Sequence, residues 1–541
     1  MLKLRYKKLL KIGVCLGLLA TLAYYFSAKA TQKILEYQLK SFGYTDIKIL
    51  STRPGITRLT IPHLEFYKEI AGVKYVLKIN DLTVNYSLTS IADKGLSSVE
   101  LKSGELIIKI PRQLQKVSGT RLQSAQNIPS IASLPFKTLE VQNFNIKLEA
   151  DSGNSLDLVT NFTLKKTNQS LDAQINLTTR ASDDILFLPG THWDLSAVLK
   201  ENLLTASGIG RSLSAQPITL DVNADYNFAK ESGQLSLTSN PDASVGLIEI
   251  TNQILKHFVF PLQISEGTLS ATLLMPLKYF KLEPFELNIA THNLGGILKN
   301  GIFTGLNGSH SIVFSSNSIS KFASKAPSQI EINKILFGAE AKNISGLLNF
   351  AYDPIKKLDL ALNKIRANIF DGKILSDALR FKSKTKHTTT KLKLEGISLP
   401  SILEMYPQNK ITATGILDGD IPLLIDSDGI SVQAGKLQAR SPGGIIRYVD
   451  LEGLAASKNK QIKLVAQVLQ NFHYQKLSSD LELNKNGDLM LVLKLSGQNP
   501  DLNFNQTTNV NLNVQENIYS LFNSLKIISG LDSKIEKALG Q

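Results

Sequence analysis

Along most of the chain apolar and polar residues trade places at every second position, the period of a β-strand with one wet and one greasy face. Tyr75, Leu77 and Ile79 alternate with Val76, Lys78 and Asn80; after Asp81, Leu82, Val84, Tyr86 and Leu88 alternate with Thr83, Asn85 and Ser87. Phe144, Ile146 and Leu148 point away from Asn145, Lys147 and Glu149, and Leu171, Ala173, Ile175 and Leu177 repeat the scheme. Near the end come Leu489, Leu491, Leu493 and Leu495, then Val510, Leu512 and Val514 flanked by Asn509, Asn511 and Asn513. Asp418-Gly419, Asp428-Gly429 and Asn486-Gly487 read as hairpin turns. Gly301-Ile302-Phe303-x-Gly305, Ile335-Leu336-Phe337-Gly338 and Ile369-Phe370-x-Gly372 recur about every 34 residues, as successive hairpins of a repeating sheet would.

Helical periodicity is rare. Gln32 to Phe42 (apolar Ile34, Leu35, Leu39, Phe42), Thr251 to Phe258 and Leu399 to Tyr406 are short candidates. The clearest is Gln515 to Ser529, where Ile518, Leu521, Phe522, Leu525 and Ile528 form one stripe and Gly530 ends it. Many strands therefore present apolar faces that few helices can cover. Sheets packed as sandwiches would cover them; so would one sheet folded lengthwise around a hydrocarbon-filled groove. The alternation alone does not choose.

The N-terminus carries a different pattern. Ile12 to Ala28 is a run of 17 residues without a charge, just long enough to cross a ~30 Å hydrocarbon core. Ile12, Leu16, Leu18, Leu19 and Leu22 supply its apolar bulk, and Tyr24, Tyr25 and Phe26 fall where an interfacial aromatic belt belongs. Lys3, Arg5, Lys7, Lys8 and Lys11 precede it, which predicts a cytoplasmic N-terminus and an exported body. Ala28-Lys29-Ala30 also fits a signal-peptidase site; both readings export the body. Gly13 and Gly17 form a GxxxG pair, read here as chance.

Composition is globular, with 43% apolar and 20% charged residues. The formal charge of +14 is spread along the chain, without the clustered basic and aromatic patch expected of a nucleic-acid binder. The single cysteine, Cys15, lies inside the apolar run, so no intrachain disulfide and no thiolate metal site is possible, and Val14 before it is too large for a lipidation motif. The seven histidines are scattered, and no HExxH, GxSxG or phosphate-binding loop occurs. Asp418, Asp420, Asp426 and Asp428 bracket Ile421 to Ile425 as turn residues rather than calcium ligands, and Ser318-x-x-Lys321 is a chance pair. Neither a catalytic residue, a metal nor a cofactor is expected, and the chain does not read as an enzyme.

The segment Ile411 to Tyr448 resembles the signature of the YdbH-like family of the AsmA-like superfamily. Gly415, Leu417, Asp418, Gly419, Pro422 and Leu423 match its Gly-x-Leu-Asp-Gly-x-x-Pro-Leu strand, and Pro442, Gly443, Gly444, Arg447 and Tyr448 match its Pro-Gly-Gly-x-x-Arg-Tyr turn. Gly497 to Ile527 is similar to the family's closing strand and terminal helix, with Asn293 to Gly296 and Phe303 to Leu306 as looser matches. The resemblance implies a mostly β protein: a transmembrane helix, then an elongated antiparallel sheet folded into a groove (β-taco-like), with few short helices. It implies a bacterial inner-membrane anchor, a periplasmic body, and phospholipid moving to the outer membrane along the apolar face. It implies as well a small outer-membrane lipoprotein as partner at the C-terminal end. On this reading the chain divides into a cytoplasmic tail and anchor (1–30), a β-rich periplasmic region (31–263), a YdbH-like β region (264–514) and a C-terminal amphipathic helix (515–541). Groove-lining candidates are Leu489, Leu491, Leu493 and Leu495. The alternative is an AsmA-like scaffold or assembly factor for outer-membrane biogenesis, its sheets closed into dry sandwiches. The chain is shorter than the larger members of the family.

Overall fold

The period-two segments form strands. A computed structural model describes residues 31–521 apart from 42, 51–52, 56, 71–72, 88–95, 111–130, 132–133, 151–154, 182–189, 258–261, 279–280, 299–300, 316–317, 338, 355–356, 383–386, 406–410, 427–428, 449–459 and 503–506, together with 16, 17, 21 and 29. Two units emerge: Met1–Gly246 with Leu274–Glu283, and Leu247–Leu273 with Pro284–Gln541.

The first unit begins with β1 (Thr45–Leu50), β2 (Arg53–Pro54), β3 (Arg58–Ile70), β4 (Val73–Asn85), β5 (Leu96–Ile110) and β6 (Phe136–Ala150). It continues with β7 (Ser155–Lys166), β8 (Ser170–Ala181), β9 (Thr191–Lys200), β10 (Leu203–Ser212), β11 (Thr219–Asn227) and β12 (Ser232–Ser239). Sequence neighbours pair antiparallel from β3 to β5 and from β6 to β12. β5 and β6 instead pair in parallel. The wholly antiparallel sheet expected from the sequence is thereby corrected to a mixed one. A parallel pair needs a crossover of a dozen or more residues, and 111–135 supplies the length that a hairpin turn lacks.

Register decides which face the apolar residues share, because a slip of one residue would send them all to the other side. Here they align across strands. Phe162, Ile175, Leu195, Gly208, Val222 and Leu237 form one cross-strand row, and Leu164, Ala173, Ala197, Ala206, Ala224 and Leu235 the next.

Several strands change phase midway. In β4 the apolar set moves from Tyr75, Leu77 and Ile79 to Leu82 and Val84, and Asp81 between them takes φ 55°. In β6 it moves from Leu139 and Val141 to Phe144, Ile146 and Leu148 across Asn143, at φ 46°, where the register with β7 shifts. An extra residue at such a bulge restores the apolar face after the slip, bends the strand and increases its twist.

The second unit holds α1 (Ser244–His257) from Leu247 onward, and β13 (Leu262–Lys278) up to Leu273; β14 (Lys281–Leu282) falls in the first unit. Its strands continue with β15 (Phe285–Leu298), β16 (Gly301–Ser315), β17 (Ser318–Ser324), β18 (Ser328–Leu336), β19 (Glu340–Asp353), β20 (Lys357–Ile369) and β21 (Gly372–Lys382). Then come β22 (His387–Ser398), α2 (Leu399–Leu403), β23 (Ile411–Ala413), β24 (Ile416–Asp426), β25 (Gly429–Ala439) and β26 (Gly444–Tyr448). Last are α3 (Lys460–Leu469), β27 (Phe472–Leu483), β28 (Asp488–Gln498) and β29 (Thr508–Asn517). The three recurring motifs fall at the β15–β16, β18–β19 and β20–β21 connections, as successive hairpins should. In the last of these Phe370 and Asp371 both take positive φ, the geometry of a type I′ turn. The phase slips recur at Asn293, Lys364 and Gly396, all at positive φ.

Leu247, Ile248 and Leu255 of α1 cover Ile264, Leu269, Leu294 and Phe303. Asn252 fixes that helix to β13, donating to the Ile264 carbonyl and accepting from its N–H, each at 2.8 Å. Residues 31–41 are helical, as their apolar spacing predicts, and leave Ile34 and Tyr37 exposed. The helix α3 was not foreseen. Its apolar residues Val465, Val468 and Leu469 do stand at i, i+3 and i+4, but β-branched side chains weaken the signal.

Among the described residues no helix is long and apolar enough to cross a membrane. Of the anchor residues, Leu16 is described, helical and exposed; Ile12, Leu18, Leu19, Leu22, Tyr24, Tyr25 and Phe26 lie outside the described residues. The C-terminal helix starts later than its stripe suggests. The strand β29 runs on to Asn517, whose Oδ1 then accepts the Ser520 N–H at 2.9 Å as a helix N-cap. Ile518 and Leu521 occupy this first turn, half-buried; Phe522 and Leu525 lie outside the described residues.

Candidate functional site: an apolar cavity in the second unit

The strands β27, β28 and β29 stack four apolar rows: Leu477–Leu495–Val510, Ser479–Leu493–Leu512, Leu481–Leu491–Val514 and Leu483–Leu489–Glu516. Leu437 of β25 continues the second row beside Ser479, and Val432 the fourth beside Leu483. On β28 and β29 exposure rises from the first row outward, whereas Val432 on β25 stays buried at 3%. Leu495 is 2% and Val510 5% exposed, Leu493 and Leu491 are half-buried, and Val514 reaches 38%.

A second layer lies over the closed end. Leu399, Ile402 and Leu403 of α2, Ile411 and Ala413 of β23, Ile446 and Tyr448 of β26 and Leu469 of α3 face the rows across a cavity of about 360 Å³. Leu491, Leu493 and Leu495 line it, with Leu512, Val514 and Glu516 from β29. Leu489, one row further out, lines a broader and more polar recess at the β27–β28 turn. The volume sits at the lower end of the ~300–1,000 Å³ typical of small-molecule sites, and the walls are of the apolar kind such sites use.

The layer joins the sheet at the residues that carry the family resemblance, where β26 pairs with β27 from Gly444–Tyr474 to Ile446–Phe472. Tyr474 of β27 is 2% exposed, and its hydroxyl donates to the Thr414 carbonyl at 2.7 Å. Burial pushes its pKa above the ordinary phenol value. Gly415, at φ +126°, leaves no room for a Cβ against that hydroxyl, and Gly443, at φ +99°, none against the Tyr474 carbonyl. Gly444 passes equally close to the Thr414 carbonyl. The three glycines thus form the slot that takes the tyrosine. Pro442 follows Ser441 through a cis peptide bond. Arg447 donates from Nε to Asn471 Oδ1 at 3.4 Å, and Tyr448 opposite Ile411 ends the layer.

Asp418, Gly419 and Asp420 lie inside β24, a strand paired on both sides, and not at the hairpin turn their sequence suggested; Asp418 works on the strand's outer side. Arg440 binds it through Nε and Nη2, both at 2.7 Å, and the Gly396 N–H donates to it at 2.8 Å. The Arg440 hydrogen bonds hold its carboxyl below the usual carboxylate range. Gly419 packs under Leu437. Pro422 sits where the β24–β25 register shifts between Asp420 and Leu423, a position that tolerates a residue without an N–H. Asp420 pairs with Lys391 at 3.1 Å and Asp426 with Lys485 at 2.5 Å. These carboxylates are therefore engaged in ion pairs, and among the described residues no three metal-ligating side chains come together.

Residues 15–279 and 283–539 match the family model described as "YdbH-like: Intermembrane phospholipid transport protein YdbH". The chain belongs to the YdbH-like family. A stretch of 213 residues is 21% identical to the probable phospholipid transport protein YdbH of Escherichia coli (strain K12), covering 39% of this chain and 24% of that protein. No solved structure matches. In this YdbH-like chain Gly415, Gly443 and Gly444 of the signature shape the slot for Tyr474, where β26 joins β27.

Two inner-face features escaped the sequence reading. Glu516 continues the alternation of Val510, Leu512 and Val514 and so comes up among leucines; its phase alone could have revealed it. His310 of β16 stands on the same face as Ile289 and Ile312, bonded by Nδ1 to Ser328 Oγ and by Nε2 to Ser324 Oγ at 3.0 Å, and stacked on Phe350 at 4.9 Å. Burial lowers its pKa below the ordinary imidazole value. Nothing in the spacing of seven scattered histidines marks this one.

Proposed function

We propose that this protein carries phospholipid between the inner and outer membranes of a bacterial envelope. The apolar face of its sheets serves as the track. The observation that carries the reading is the set of rows on β27–β29, which are matched in register and half-exposed outside the closed end, and which lead into a cavity walled by leucines. A dry sandwich core would bury such rows, as Leu495 is buried; half-exposed leucines in long register suit hydrocarbon that comes and goes. The bulges at Asp81, Asn143, Asn293, Lys364 and Gly396 bend strands midway, which favours a sheet folded lengthwise. Ile12 to Ala28 anchors the chain in the inner membrane with its N-terminus in the cytoplasm and its body in the periplasm. The C-terminal end takes a small outer-membrane lipoprotein.

Native mass spectrometry of the detergent-extracted full chain tests this reading. Phospholipid retained by the protein is the expected result. A lipid-free spectrum under conditions that preserve known lipid carriers would favour a scaffold for outer-membrane assembly.

A further inference from the structure

The fourth row ends on a charge. Glu516 stands beside Leu489 and one row from Val514, in phase with the leucine face, and is among the residues that line both the leucine cavity and the polar recess outside it. Its Oε1 accepts the Asn517 N–H at 3.2 Å. Among the described residues no cation pairs with it, whereas Asp426 and Asp480 pair with Lys485 and Lys494, and Asp488 accepts from the amides of Asn484 and Asn517. A carboxylate next to apolar walls gains most from a cation that arrives together with hydrocarbon. From Glu516 to Leu512, the cavity-lining part of β29, the strand covers four residues, ~14 Å, against ~15 Å for one leaflet of a ~30 Å hydrocarbon core. An acyl chain lying along the rows to the closed end would therefore leave its headgroup at Glu516.

We infer that Glu516 selects phospholipids whose headgroup bears a primary ammonium, accepting its N–H donors at the mouth of the leucine cavity. This rests on the conduit reading above and adds the lipid class to it. The ammonium offers a charge and three donors; a glycerol headgroup offers neither a cation nor relief of the carboxylate's charge, and its phosphate is repelled.

The full-length protein is equilibrated in mixed micelles holding equal amounts of phosphatidylethanolamine and phosphatidylglycerol, and the bound lipids are counted by native mass spectrometry. Wild type is expected to enrich the ethanolamine lipid about two- to fivefold, the range a half-exposed ion pair provides. Glu516→Gln loses the enrichment with total occupancy kept, Glu516→Lys reverses it, and Asp480→Asn, on the opposite face of β27 and outside both cavities, leaves it in place. Equal ratios in wild type and Glu516→Gln, with lipid bound in both, overturn the assignment to Glu516 and leave the conduit standing. That is also the result expected if a lysine from a protein, rather than a lipid, meets this carboxylate. Absence of lipid from wild type overturns both.

Discussion

Leu493 and Leu495 share one face of one strand, two residues apart, yet their surroundings differ: Leu495 is buried under Phe472 and Tyr474, whereas Leu493 is a half-exposed cavity wall. A charge at Leu495 would be left unpaired in a dry core, at a cost of several kcal/mol, and Leu495→Asp is expected to unfold the unit. Leu493→Asp keeps water within reach. It should melt within a few degrees of wild type but retain little lipid, as thermal denaturation and native mass spectrometry can show. Equal unfolding by both variants would identify the rows as sandwich core. On the outer face, Asp418 titrates below its unfolded value because Arg440 hydrogen-bonds its charged form. Its stabilising contribution is therefore present above the unfolded pKa of about 3.9 and disappears as pH falls through the lower folded value. Asp418→Asn should lose up to ~1 kcal/mol at neutral pH, the pair being largely exposed. Its melting temperature should also fall less steeply than wild type below about pH 4, which scanning calorimetry would record.

At the scale of elements, the decisive one is β29. Among the described residues it pairs with β28 alone, and a strand with one edge unpaired recruits another strand readily. The turn of helix at 518–521 is tied down by the Asn517 cap and by Ile518, whose N–H donates to the Gly487 carbonyl at 2.8 Å. Since the strand continues to Asn517, a truncation that tests the terminal helix must begin at Ile518, not at Gln515, where the stripe first suggests it. Such a truncation should stay folded and anchored with a melting temperature a few degrees lower, and should lose crosslinks to the outer-membrane partner. Leu512→Pro, which distorts the same edge, should lose them too. Crosslinks at the wild-type level in both variants would place docking elsewhere.

For the whole molecule the first question is topology. The basic residues before Ile12 and the uncharged run after it predict the periplasmic body proposed above. An alkaline phosphatase fused at the C-terminus should be active, and a cytoplasmic reporter at the same place silent. The opposite pattern would remove the envelope from the account and the lipid route with it. Membership of the YdbH-like family rests on a match over most of the chain, whereas the 213-residue likeness to the Escherichia coli protein covers 24% of that protein. Transport by this chain is therefore a matter for the lipid-binding experiment.

The alternation in segments such as Leu489 to Leu495 was enough to make strands, because a period of two can bury one face in no other way. The 3.6-residue stripe pointed to helix from Gln515, where strand runs on to Asn517 and the described helix is the turn 518–521, and the glycines and prolines of Ile411 to Tyr448 marked a special backbone before their partner was known. Other features depended on residues far apart in the chain. That β5 and β6 run parallel is a pairing between strands separated by 25 residues, which local pattern does not encode. That Gly415, Gly443 and Gly444 all serve one side chain requires Tyr474, some thirty residues beyond the turn, to be folded into place. The same holds for the difference between Leu495, the buried end of the cavity wall, and Leu493, its half-exposed part. Both are leucines in phase on one strand, and only the layer built from α2, β23 and β26 determines which of them is closed off from solvent.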